Sequence, residues 1–214
     1  MTTRKVNFAN GEIYHVFNRG VDKRIIFDDQ NDLNRFFKSM LSFNQVDPVG
    51  SLHEQSFLKE NNKKPLVNFI AYNLLENHFH LLLEQVTEGG ISEFMKRLQG
   101  GYTWAYNKKN KRSGSLLQGT FKSRHIDTNE YLLHVSVYVN LNDKIPLDGL
   151  GGLTAKWGKS SWDEYVNFQN SIFVCKGKNI VLEQFKSKEE YKNFALATLE
   201  DIKLNKENYK ELEE

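Results

Sequence analysis

The sequence predicts an α+β fold on three observations: a strand-like run near the N-terminus, two apolar runs that meet at a turn, and helical stripes of three- and four-residue spacing around them. Ile13 to Asn18 alternates as a strand does, and Gly20 ends it. Asp28 or Asp29 caps a helix whose apolar stripe is Leu33, Phe36, Phe37, Met40 and Leu41. Asp47 to Lys64, with Pro48, Gly50 and a polar run from Lys59, reads as a loop. Leu66 to Leu75 and Phe79 to Glu84, separated by Glu76-Asn77, form an antiparallel hairpin. Gly89-Gly90 then breaks the chain, and Ser92 caps a long helix through Phe94, Leu98, Tyr102 and Tyr106, weakened by Gly100-Gly101. After a basic loop, Lys108 to Ser115, come a short strand near Leu117 to Ile126 and a third helix, capped by Thr128 or Asn129 and reaching about Asn142. A charged helix begins near Ser187, where Tyr191, Phe194, Leu196 and Leu199 can pack back on the domain, and the tail from Asn205 is expected to fray.

Composition narrows the classes. The 214 residues suffice for one well-cored domain with an appendage, which places a main domain at 1–148 and a C-terminal extension at 149–214. Cys175 is the single cysteine, which excludes an intrachain disulfide and every cysteine-cluster zinc site. No run approaches the roughly 20 apolar residues that span a bilayer, and the N-terminus has no apolar leader. A cytoplasmic protein with no membrane partner is expected.

The net charge of +2 is unevenly spread. Between Ile91 and Ile126, five lysines (Lys96, Lys108, Lys109, Lys111, Lys122) and three arginines (Arg97, Arg112, Arg124) face the single acid Glu93, a local net of +7, and the rest of the chain is net acidic. Tyr102, Trp104, Tyr106, Asn107, Gln118 and Phe121 are interleaved with these cations. Such a surface suits a phosphate backbone and unpaired bases, although a solvated helix face with a basic loop has the same composition.

The run Asn77-His78-Phe79-His80-Leu81-Leu82-Leu83 sets two imidazoles on one face of a strand, with Phe79 on the other. Two nitrogen ligands on a rigid strand make a metal clamp, and equally a pair of hydrogen-bonded histidines. In the third helix Tyr131, His134, Tyr138 and Asn142 fall three or four apart on one face, while Leu133, Val137 and Leu141 form an apolar stripe. A tyrosine with an amide one turn later supplies a nucleophilic oxygen and a further metal ligand, or a packing residue and a helix-end cap.

Together these stretches resemble a known family. Ile70 to Leu83 is similar to the HUH motif region (His, hydrophobic, His) of the single-tyrosine transposases, most of all those associated with repetitive extragenic palindromes. Three further blocks fit in order: Tyr14 to Gly20, Leu116 to Ser123 and Tyr138 to Asn142; Trp157 to Tyr165 resembles a tryptophan-serine-serine segment that often follows. The likeness spans about residues 11 to 170. The chain departs from the family pattern at Thr120, where an arginine is usual, and at Asn140 and Asp143, where a histidine and a proline are usual.

The resemblance implies a ferredoxin-like antiparallel sheet with the histidines on a central strand and the Tyr138 helix across that face. It implies a metal-dependent endonuclease and transposase that cleaves and rejoins single-stranded DNA near hairpins. His78, His80 and Asn142 would hold Mg²⁺ or Mn²⁺, although imidazole by itself favours zinc and other transition metals. Tyr138 would attack the phosphorus and form a 5′-phosphotyrosine link. Asn18, Arg19, Arg97, Lys108, Lys109, Lys111, Arg112, Gln118, Lys122 and Arg124 would bind DNA carrying a palindromic hairpin, with the protein a monomer or homodimer. The rival expectation is a domesticated, non-catalytic protein that recognises hairpin repeats.

Overall fold

The computed structural model describes residues 7–50, 64–145, 157–167, 174–205 and 212. The boundary at 148/149 and most of the loop 47–64 and of the tail lie outside them. The elements run β1 (Ile13–Arg19), α1 (Gln30–Phe43), β2 (Val67–Leu75), β3 (His78–Gln85), α2 (Gly90–Lys109), β4 (Lys122–Ile126) and α3 (Asn129–Asn140). β5 (Lys159–Ser160), α4 (Trp162–Val166), α5 (Asn179–Leu182) and α6 (Lys188–Leu204) follow. The sheet order is β4-β1-β3-β2-β5, antiparallel throughout. A βαββαβ chain in the order 4-1-3-2 is the predicted ferredoxin-like sheet, extended by one short strand.

Strand periodicity gives the sheet two apolar faces. On one, Tyr14, Val16, Phe79, Leu81 and Leu83 pack with Leu33, Phe36, Phe37 and Met40 of α1 and Phe94, Leu98, Tyr102 and Tyr106 of α2. On the other, Ile13, Ile70, Ala71 and Leu82 pack with Val135, Val137, Tyr138 and Val139 of α3 and with Tyr191, Ala195, Leu199 and Ile202 of α6. A bulge between Phe69 and Ala71 makes this possible, because the shift in register lets Ile70 and Ala71 both serve the second face while Phe69 and Tyr72 serve the first. The residues after 157 therefore complete the core beneath α3.

Several expectations need correction. The cap of α2 is Gly89, in the left-handed region at φ 67°, and not Ser92, which lies inside the helix. The helix starts early because Gly90 packs on Leu66, the residue that leads into β2: a Cβ there would stand 2.2 Å from the Leu66 carbonyl oxygen. α2 runs unbroken through Gly100-Gly101 to Lys109, so Lys108 and Lys109 are helical. Gly101 accommodates the Phe43 ring, which an added Cβ would approach to 2.9 Å. β4 is shorter than expected because Gly119, at φ 65°, turns the chain after Leu117 bridges Gly20. Asp29 and Thr128 cap α1 and α3, but α3 ends at Asn140 and Asn142 begins a short 3₁₀ turn. Leu41 and Leu196 face solvent, one position off their helices' buried stripes.

Candidate functional site

The second face of the sheet carries a row of side chains in register. Lys122 of β4 lies opposite Phe17 of β1, Phe17 opposite His80 of β3, and His80 opposite Asn73 of β2. One pair further along, Arg19 lies opposite His78. The hairpin thus places both histidines on the central strand, flanked by β1, as predicted. Their rings stand perpendicular with centroids 5.1 Å apart.

α3 crosses this face and brings Tyr138 to it. The tyrosine ring meets His80 edge-on at 5.5 Å between centroids, and its neighbour His15 at 6.0 Å. Asn142 follows in the 3₁₀ turn, where its Oδ1 lies 3.3 Å from His78 Nε2. Tyr138, Asn142 and His80 are each 1% exposed and His78 is 7% exposed. The predicted polar face of this helix divides. Tyr138 and Asn142 turn to the histidines, Tyr131 is half-buried against the second core, and His134 sets its ring against Phe194 of α6.

Outer partners orient the imidazoles. His78 Nδ1 lies 2.5 Å from Asn77 Oδ1, and the same amide donates through Nδ2 to the Lys23 carbonyl. The amide oxygen accepts, so His78 Nδ1 is the donor in that contact, and in the neutral ring Nε2 offers its lone pair. In that form Nε2 and Asn142 Oδ1 are two acceptors facing each other across 3.3 Å, which a shared cation, reversal of the Asn142 amide or a second ring proton reconciles. Two imidazole nitrogens and an amide oxygen fit a divalent ion of the kind the resemblance implies. Among the described residues, no group of three or more His, Cys, Asp or Glu assembles for a metal.

His80 has its own partner, one the sequence reading passed over. His15 Nε2 lies 3.0 Å from His80 Nδ1, with the two rings stacked at 15°. His15 is fully buried, and that burial, with His80 and Arg124 nearby, holds its imidazole well below its ordinary protonation range. The signal lay in the run Tyr14-His15-Val16-Phe17-Asn18-Arg19, whose period of two puts His15, Phe17 and Arg19 on one face.

The predicted DNA-binding residues scatter over several settings. Lys122 and Arg124 alternate onto the histidine face from the edge strand β4, in register with Phe17 and His15. Arg19 donates through Nε to Gln118 Oε1 at 2.7 Å. Asn18 is buried and accepts from the Arg19 amide while its Nδ2 reaches the Gly119 carbonyl. Lys108 lies over the exposed Trp104 ring, and Lys111 is exposed at the turn after α2. Three others are held within the fold. Arg97 pairs with Glu93 and donates to the Gln45 and Asp47 carbonyls. Lys109 bridges Asp29 and Asp32 at the start of α1. Arg112 binds Asn107 and the Ser115 carbonyl.

The departures from the family pattern find local reasons at two positions. Asn140 Oδ1 accepts from Ser161 Oγ at 2.5 Å, and its Nδ2 donates to the Tyr191 hydroxyl at 3.0 Å. Asn73 Nδ2 donates to Asp143. Nothing in the structure explains Thr120.

Residues 49–142 match the family described as "Transposase IS200 like". No curated protein matches the chain. Among solved structures, one of a REP-associated tyrosine transposase bound to a REP hairpin superposes with a TM-score of 0.50 at 13% identity, over 67% of this chain and 73% of that one. That likeness is one of fold. No helix among the described residues is long and apolar enough to cross a membrane. The segment holding β2, β3, α2, β4 and α3 is thus similar to the IS200-like transposases in sequence, and the fold is similar to that of the REP-associated tyrosine transposase.

Proposed function

We propose that the protein cleaves and rejoins single-stranded DNA beside hairpins through Tyr138. The observation that carries this reading is the convergence of Tyr138, His78, His80 and Asn142 from α3, the central strand and a 3₁₀ turn, with the tyrosine ring edge-on to His80. Mg²⁺ or Mn²⁺ held by His78, His80 and Asn142 would polarise the scissile phosphate and stabilise charge on its oxygens. The Tyr138 oxygen forms a bond to phosphorus as the bond to the 3′ oxygen breaks; the phenolic proton leaves, and the departing strand gains a 3′-hydroxyl. Attack by a 3′-hydroxyl on the phosphotyrosine reverses the step and reseals the strand. Arg19, in register with His78 and oriented by Gln118, and Lys122 and Arg124, in register with Phe17 and His15, offer positive charge on the same face for the flanking phosphates. The hairpin ligand is proposed from the resemblance and from the printed description of the structural neighbour.

A second reading, hairpin binding without cleavage, draws on the burial of Tyr138. Incubating the protein with Mg²⁺ or Mn²⁺ and a labelled single strand carrying a palindromic hairpin separates the two. Cleavage gives an adduct that survives denaturation, with peptide mapping placing it on Tyr138. Binding with no adduct under either ion favours the second reading.

A further inference from the structure

Both histidines of the motif are held from behind. For His78 the holder is its own neighbour Asn77, which takes the Nδ1 proton and leaves Nε2 facing Asn142. For His80 the corresponding atom, Nδ1, meets His15 Nε2 at 3.0 Å, across the β1–β3 pairing. The His15 ring lies parallel to that of His80 and presents a flat wall to the Tyr138 ring. His15 is fully buried, and among the described residues its Nδ1 has no hydrogen-bond partner and its bond to His80 is the one that its ring makes. An imidazole costs more to desolvate than an apolar ring of similar size, so packing alone does not account for a histidine at this position.

We infer that His15 is a positioning residue for His80: it accepts the His80 Nδ1 proton, fixes the ring's tautomer and rotation, and so keeps Nε2 directed to the Tyr138 side. The inference rests on the reading of His80 as a ligand through Nε2. If His80 binds through that atom, its Nδ1 must carry the proton, and His15 Nε2 is the acceptor within reach. The site is then symmetric in its chemistry, each imidazole proton being taken by an outer partner, an amide oxygen for His78 and a neutral imidazole for His80.

The test compares the wild-type chain with His15→Phe, which fills the volume without a nitrogen, and His15→Gln, which returns an acceptor near the same place. Nitrogen-detected NMR reads the His80 tautomer in the metal-free protein, and electron paramagnetic resonance reads the binding of Mn²⁺ alone. His80 is expected to carry its proton on Nδ1 in the wild type and to lose that preference in His15→Phe. Mn²⁺ affinity is expected to fall about 10–100-fold in His15→Phe, in the range for loss of an outer partner, and to recover in His15→Gln. A wild-type proton on His80 Nε2 overturns the inference, as does a His15→Phe chain that binds Mn²⁺ as the wild type does. A wild type that binds no Mn²⁺ sinks the metal reading of the site, and the tautomer measurement still decides the role of His15. Should His15→Phe fail to fold, the wild-type tautomer and the Gln variant decide it.

Discussion

Tyr138 stands edge-on to His80, the two rings at 89° with their centroids 5.5 Å apart, one on a helix and the other on the central strand of the sheet it covers. Adduct chemistry at this pair requires the phenol oxygen alone. Tyr138→Phe keeps the ring that packs in the second core, and the lost hydroxyl costs about 1 kcal/mol at most. The variant is expected to melt within a few degrees of the wild type, bind hairpin DNA equally and give no denaturation-resistant adduct; an adduct that persists reassigns the nucleophile, with Tyr131 as the first candidate.

Removal of one proposed metal donor is expected to separate cutting from binding. His80→Ala is expected to abolish cleavage of a labelled strand while a gel-shift assay finds hairpin affinity within about threefold of the wild type, because phosphate contacts dominate affinity. An active His80→Ala enzyme would remove the histidine clamp from the proposal.

The basic segment is expected to divide into two functional sets. Replacing Lys122 and Arg124 by alanine should lower the slope of log affinity against log salt by up to about 1.4, at about 0.7 per phosphate contact on single strands. Lys109→Ala should leave that slope unchanged and lower stability instead, since Lys109 neutralises the buried Asp32 as well as Asp29. The loss is expected at roughly 1–2 kcal/mol, or roughly 2–8 °C in Tm. A salt slope that drops in Lys109→Ala would return this lysine to the DNA surface.

Much of this arrangement was legible in the sequence, and the omissions share a cause. The alternation of His78 and His80, the Glu76-Asn77 turn and the caps Asp29 and Thr128 are local signals, and the structure keeps them all. His15 was missed because its role depends on β1 lying beside β3, a pairing between residues 65 positions apart. The anchoring of Lys109 and Arg97, expected as DNA-binding residues, was not legible because their partners, Asp29, Asp32, Gln45 and Asp47, lie on distant segments. Ser92 satisfied the capping pattern, but the requirement for a residue without a side chain against Leu66 moved the helix start to Gly90.

Alkali should unfold the protein through its buried phenols. Burial pushes the Tyr191 hydroxyl up to about 12, against hydrogen bonds to Ser136 and Asn140 that pull it down, and burial also raises Tyr72, Tyr102 and Tyr165. A group raised above its unfolded value of about 10 contributes stability that is intact below pH 10 and is withdrawn as pH rises toward 12. Burial raises the Cys175 thiol as well, so denaturant midpoints are expected to begin falling near pH 9, at the unfolded thiol's value, and to fall steeply above about pH 10 as the phenols join it. Tyr191→Phe should fall less steeply by one proton, while losing about 1 kcal/mol at pH 8 with the bond to Asn140. Equal alkaline slopes in the two chains would rule out Tyr191 as a contributor.

The bond between Asn140 and Tyr191 ties the helix bearing Tyr138 to a helix some fifty residues later in the chain, and Ser161 closes the same knot by donating to Tyr72 of β2 and to Asn140. α3 is therefore expected to open to solvent as one cooperative unit with α6, its amides exchanging at the rate of the C-terminal helix. A chain cut short before Ile202 would lose part of the floor on which Tyr138 rests. On the proposed reading, a truncated copy of the gene would yield a protein that loses the support of Tyr138 before it loses its basic surface: a binder of DNA rather than a cutter of it.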